Sequence, residues 1–264
     1  MIELTYTGPA DSVAEVTLNA PQKMNSLDEQ ALADLAAAYT EAASKAQEGS
    51  VRALLLRGEG RGFCAGRDIS HVTPATDDAY DYLAQKVTPV LRQMADFPAP
   101  TFAAVQGACL GVGLGLTIAT DVVYVADTAK IGSPFANLGA TLDSGGHALF
   151  TERLGAHRTL DLIYTAELMS GDEAVRSGLF SRSVPADELL EFTRTKAAAA
   201  AQGATQAFLA SRALVAQVRD ERMGLWDSVE KENRAQGDLC GTADYAEGFK
   251  AFQEKRKPNF TGRG

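Results

Sequence analysis

Cysteine is scarce in this 264-residue chain: Cys64, Cys109 and Cys240 are the only three. That number excludes an even disulfide framework, and their spacing matches no zinc-binding pattern, so the chain reads as a reduced, cytoplasmic protein. Positive charge is also in deficit. Twenty-five Lys and Arg stand against 34 Asp and Glu, a formal net charge of −9, which argues against a general affinity for nucleic acid or an anionic membrane. A few local cations can still hold an anionic small molecule. Long apolar runs are missing as well. The nearest, residues 104–126, is interrupted by glycines and Asp121 and falls short of the roughly 20 consecutive apolar residues that a bilayer span needs. The N-terminal Met1-Ile2-Glu3-Leu4-Thr5-Tyr6 lacks the basic start of a secretory signal and reads as a strand.

What is present is alternation. Ile2–Thr7 and Val13–Leu18 read as strands. Ser26, with Glu29 three residues on, has the form of a capping box for an Ala-rich helix from Leu27 to about Ala46. Val51–Leu56 is a short apolar run of the kind that forms a strand buried on both faces. The unit then recurs: a helix over Tyr80–Met94, a strand over Thr101–Gln106, a helical run to Thr120 and a strand over Val122–Ala126. From about Gly145 onward the chain reads as almost entirely helical, with segments at 187–201, 205–218, 223–236 and 243–254. The economical picture is one α/β core over residues 1–200, followed by a helical region, 201–264, that packs on the core or on a neighbouring subunit.

Three glycine-bearing segments are candidates for chemistry. Gly58 to Asp68 follows a buried strand but has no phosphate-loop pattern, and by glycine count alone it is a surface turn. Gly107 to Gly115 holds four glycines in nine residues. Gly111-Val112-Gly113 resembles part of a dinucleotide fingerprint, yet the third glycine comes one residue early and the helix is too short. A helix N-terminus there equally suits a developing oxyanion. In the third, Asn137 to Gly146, Asp143 could simply cap the following helix.

Together the segments resemble the crotonase (enoyl-CoA hydratase/isomerase) superfamily along nearly the whole chain. The matching pieces are Asn19-Ala20-Pro21-Gln22-Lys23-Met24-Asn25-Ser26-Leu27, Arg61-Gly62-Phe63-Cys64-Ala65-Gly66-Arg67-Asp68, Gln106-Gly107 through Asp121, and the tail Ala243 to Gly248 with Phe252 and Glu254-Lys255-Arg256. The resemblance implies a spiral of ββα units with a C-terminal helical trimerisation region, assembled as a homotrimer or dimer of trimers. It implies an acyl-CoA substrate and no separate cofactor, since coenzyme A is part of the substrate. It also implies two backbone N–H groups, by position those of Ala65 and Val112, that hold the thioester oxygen as negative charge develops.

Hydratases of this family place glutamates at the positions of Gly115 and Phe135, and neither residue here can accept a proton. The acidic position of family isomerases is filled by Asp143. The pattern Leu142-Asp143-Ser144-Gly145-Gly146 is similar to that of dienoyl-CoA isomerases, and more so to the 1,2-epoxyphenylacetyl-CoA isomerases of phenylacetate degradation. The expectation is therefore an isomerase of phenylacetate or fatty-acid catabolism with Asp143 as its acid/base. Gly66, Arg67, Asp68, Ile69, Gly111, Phe135, Leu138 and Leu142 would shape the substrate site, and Lys23, Arg67 and Lys257 would meet the phosphates of coenzyme A. Asp68 and Asp121 would brace the oxyanion loops. Cys64 and Cys109 lack a paired base and are not expected to be nucleophiles. Alternatives are a hydratase-like lyase, a 4-chlorobenzoyl-CoA dehalogenase-like hydrolase using Asp143 and His71, and a catalytically silent CoA-binding subunit. His147 and His157 read as structural, and Trp226 lies far from where the dehalogenase reading wants a tryptophan.

Overall fold

The computed structural model describes residues 1–70, 72–73 and 75–262. Its strands are β1 (Ile2–Thr7), β2 (Val13–Leu18), β3 (Ala53–Gly58), β4 (Thr101–Val105), β5 (Ala108–Leu110), β6 (Val122–Ala126), β7 (Lys130–Gly132), β8 (Met169–Ser170) and β9 (Arg182–Val184). They form a six-stranded sheet, β1-β2-β3-β4-β6-β9, and a three-stranded one, β5-β7-β8. In the larger sheet β1 runs antiparallel to β2, and the remaining pairs are parallel. Parallel neighbours cannot be joined by a tight hairpin, so the chain must cross over between them. Helix α1 (Glu29–Gln47) makes the crossing from β2 to β3. A continuous helical stretch makes the next: α2 (Ala79–Asp81), a π-helical segment (Tyr82–Val87) and α3 (Thr88–Ala95). Helix α4 (Val112–Ile118) then precedes β6.

Burial explains why the central strands lack alternation. Every residue of β2 and β4 is buried, and all but Arg57 of β3. That includes Glu15, which the core holds only because two guanidiniums meet it. Arg57 donates to it at 2.7 Å and Arg194 at 2.7 and 2.9 Å. Burial works against its charge, but these bonds outweigh burial and keep the carboxyl below its usual range. The network fastens α7 (Leu189–Ala201) to the sheet.

Beyond β7 come α5 (Gly146–Thr165), α6 (Gly171–Arg176) and, after α7, the helices α8 (Thr205–Asp220), α9 (Leu225–Leu239) and α10 (Ala243–Gln253). The mixed α/β spiral with a helical C-terminus is therefore the architecture. Three expectations change in detail. Asp28, not Ser26, caps α1, accepting the N–H of Ala31 at 2.8 Å. The stretch after Gly145 also holds β8 and β9, whose two and three residues are too short to set up a period of two. A division between residues 200 and 201 would cut the last turn of α7, whereas the break between helices is 202–204. Helix α9 buries no residue and α8 only Thr205, leaving Phe208, Val215, Val218, Leu225 and Trp226 exposed. Among the described residues no helix is long and apolar enough to cross a membrane.

Candidate active site

The site is organised by a turn rather than by a helix or strand. Met24 and Asn25 both lie in the left-handed region, φ 54° and 55°, where non-glycine residues are uncommon and usually have a local reason. Here the reason is the Asn25 side chain, which is buried and fully engaged. Its oxygen accepts the N–H of Ala20 at 2.8 Å, and its amide donates to the carbonyls of Glu59, Gly62 and Phe63 at 3.0, 2.8 and 3.1 Å. One side chain thus fixes the loop leaving β3. Cys64 then bridges to Cys109 of β5, with Cys64 N–H to Ala108 O at 2.9 Å and Leu110 N–H to Cys64 O at 3.0 Å. That bridge brings the glycine loop after β3 beside the start of α4.

Two backbone donors are left over. Gly66 O accepts from Leu27 N at 2.8 Å and Asp68 N donates to Leu27 O at 2.9 Å. Because a bridged strand alternates its polar groups side to side, the N–H of Arg67 faces away from Leu27. It finds no acceptor among the described residues. Val112 opens α4, and its N–H, like others in a first helical turn, has no intrahelical partner. The two segments are close: a Cβ built on Gly66 would lie 2.8 Å from Leu110 O and 3.4 Å from Val112 N. Only glycine fits there, all the more at φ +91°. The N–H of Ala65 is not available, because it donates to Met24 O at 2.9 Å. This corrects the expected donor pair: Ala65 holds the turn, and the free N–H two residues later belongs to Arg67.

Asp143 stands in the turn that leads into α5. Burial raises its carboxyl above the usual range, and the neighbouring Ser144 hydroxyl opposes this in part. The two groups do not reach hydrogen-bonding geometry. Asp143 Oδ1 and Ser144 Oγ are both buried without a partner among the described residues. Leaving such a group unsatisfied costs about 1–3 kcal/mol each, so their persistence asks for a functional explanation. Ser144 is pressed against α4: a Cβ on Gly115 would fall 2.4 Å from Ser144 Cβ and 3.0 Å from its Oγ. No side chain fits at 115 while this turn is in place. Phe135 closes another side, its ring 3.0–3.3 Å from where a Gly111 Cβ would be. Sequence reasoning missed Tyr82. It donates to Leu27 O at 3.2 Å, stacks under the Arg67 guanidinium at 4.1 Å and feels the charge of Asp143. Its place in the π-helical segment left no sequence signal.

The remaining candidates divide. Lys23 is held by Asp28 and Asp68, both at 3.1 Å. Asp68 is pulled down to about 2 by Ser70, through its hydroxyl and N–H, and by Lys23. Lys23 is thus already paired. Arg67 forms a two-point pair with Asp77, at 2.6 and 2.9 Å. Leu142 belongs to the core, beside Phe150, Leu162 and Met169. Ile69 and Leu138 are largely exposed, as is Lys257. Asp121 accepts the N–H of Thr101 at 2.9 Å and so braces β4 rather than an oxyanion loop. Burial pushes the Cys64 thiol up to about 12 and raises Cys109, which keeps both protonated. His147 and His157 are exposed on α5 rather than packed in the core. Trp226 is exposed on α9, and His71 lies outside the described residues. Cavities of about 370 and 810 Å³ lie elsewhere, among the C-terminal helices and between α8 and the core.

Comparison with known proteins shows the family and the fold. The profile of the family described as enoyl-CoA hydratase/isomerase matches residues 8–263. A Rhodobacter capsulatus protein named "Probable enoyl-CoA hydratase" is 34% identical over 255 residues, 96% of each chain. The 1,2-epoxyphenylacetyl-CoA isomerase of Escherichia coli K12 is 32% identical over the full length of both. Among solved structures, an enoyl-CoA hydratase from Bacillus anthracis superposes with a TM-score of 0.88 at 27% identity, covering 99% of both chains.

Proposed function

Because the chain belongs to the enoyl-CoA hydratase/isomerase family, we propose that it is an acyl-CoA isomerase in which Asp143 alone moves the proton. The observation that carries this reading is the pairing of Asp143 with Gly115. A half-buried carboxylate with an unpartnered oxygen stands at the site, while its neighbour Ser144 fills the space in which a side chain at 115 would lie.

The thioester carbonyl oxygen would accept hydrogen bonds from the N–H groups of Arg67 and Val112. Asp143 would take a proton from the carbon next to the carbonyl of a 3-enoyl chain. The electron pair of that C–H bond moves into the conjugated system and onto the carbonyl oxygen, giving a dienolate. The proton then returns to the γ-carbon, and the double bond has shifted. One donor of this kind is worth about 3–4 kcal/mol in the transition state. The raised proton affinity of Asp143 makes it a stronger base than an exposed carboxylate. An aryl-epoxide ring opening needs the same parts. The assembly in this reading is a homotrimer or dimer of trimers, with Phe208, Val215, Leu225, Phe249 and Phe252 supplying apolar surface; sedimentation analysis tests it.

The name hydratase, carried by many relatives, defines the competing reading. That reading requires a second acid to handle water, and the two positions at which the family resemblance would place glutamates hold Gly115 and Phe135. Incubation with a cis-3-enoyl-CoA in D2O separates the two. The isomerase reading expects the trans-2-enoyl ester with deuterium at carbon, and loss of turnover in Asp143→Asn. Formation of a 3-hydroxyacyl ester at a comparable rate would overturn it.

A further inference from the structure

Two buried polar atoms side by side, Asp143 Oδ1 and Ser144 Oγ, have no partner among the described residues. Packing does not free either of them to find one. Ser144 is a non-glycine residue held at φ +51° and followed by Gly145 at φ +88°. Its Cβ is wedged against Gly115 of α4, and Gly146 N–H ties the turn back to Asp143 O at 2.8 Å. A left-handed serine that serves only to make a turn would be served as well by glycine. What serine adds is the hydroxyl, placed beside the carboxylate that the proposed reaction uses.

We propose that Ser144, beside the base Asp143, is the receptor for an oxygen atom carried on the acyl group, so that it selects oxygen-bearing acyl thioesters over purely hydrocarbon ones. The inference rests on the isomerase reading and narrows its substrate class. The Ser144 hydroxyl donates to the substrate oxygen, while Asp143 serves the proton transfer on any acyl chain. The Ser144 Oγ is then satisfied only when the bound acyl group carries oxygen. A hydrocarbon chain leaves it unpaired, and discrimination follows from that unpaired group rather than from shape. Gly115 belongs to the same device, since its missing side chain is what lets Ser144 lie against α4.

Two esters that differ by one oxygen test this without any turnover: phenylacetyl-CoA and 2-hydroxyphenylacetyl-CoA, titrated calorimetrically into the full-length protein. The hydroxylated ester should bind roughly tenfold tighter, the equivalent of about 1.4 kcal/mol. The ratio should fall to near one in both Ser144→Ala and Ser144→Gly, the glycine variant keeping the left-handed backbone. Equal binding of the two esters by the unmodified protein overturns the receptor, as does a preference that survives both substitutions. If neither ester binds, the acyl-thioester reading of the site fails along with it. If both bind equally while Asp143→Asn still abolishes isomerisation, only the receptor fails.

Discussion

Replacing Gly115 by alanine adds one methyl group, and the surrounding contacts give its cost. The new Cβ would be 2.4 Å from Ser144 Cβ, about 1 Å short of ordinary carbon contact. Two opposing effects then compete. In a helix interior, alanine is favoured over glycine by about 1 kcal/mol. Overpacking a closed contact costs about 1–3 kcal/mol. The net change in stability is therefore small, from about 0 to 2 kcal/mol, or a Tm lowered by no more than roughly 8 °C. Activity should respond more strongly. Helix α4 carries the Val112 N–H and the 143–144 turn carries the carboxylate, so a contact that drives them about 1 Å apart misaligns base and oxyanion donor, worth on the order of 100-fold in kcat. The assay is steady-state isomerisation of a cis-3-enoyl-CoA beside thermal unfolding. Combining Gly115→Ala with Ser144→Gly removes the opposing Cβ and should recover most of the kcat, giving a clear non-additive cycle. Undiminished kcat in the single variant would refute the claim that this contact sets the catalytic geometry.

Three further outcomes are expected. Val112→Pro removes one proposed oxyanion donor at the first helical position, where proline is tolerated; kcat should drop about 10²–10³-fold with little change in Tm, and an active variant would remove Val112 from the site. Asp143→Asn should make the protein more stable at neutral pH, by on the order of 1 kcal/mol, while abolishing turnover. Native Asp143 binds its proton more tightly than the unfolded chain does. The ionised form therefore costs stability that is absent below 3.8 and grows as pH rises through the raised native value, so the variant's advantage in Tm should vanish in acid. Asn25→Ala leaves three carbonyls and the Ala20 N–H without their partner. A loss of about 3 kcal/mol or more by denaturant titration is expected, and a loss under 1 kcal/mol would show that the loop after β3 is held by other means.

What could be read before the fold was known depended on whether the signal was local. The buried strands β2, β3 and β4 appear as short apolar runs bounded by breaks, and α1 and α7 to α10 as extended helical patterns, so the framework was legible. Strands of two or three residues were not, because β8 and β9 exist only through neighbours supplied by distant parts of the chain. The site follows the same rule. Asp143, Val112 and Phe135 are reached through the family resemblance, since by residue type alone Asp143 reads as a helix cap. The donor at Arg67 is not, since every residue but proline offers an N–H and only the accounting of acceptors shows which one is idle. Ala65 lost its role to the carbonyl of Met24, a contact made possible by two consecutive left-handed residues with no glycine to announce them. The resemblance places Lys23 at the phosphates of coenzyme A and gives no sign of its pairing with Asp28 and Asp68, which lie 5 and 45 residues away. Residue type therefore shows which groups can do chemistry here, and the hydrogen-bond inventory shows which of them are left free to do it.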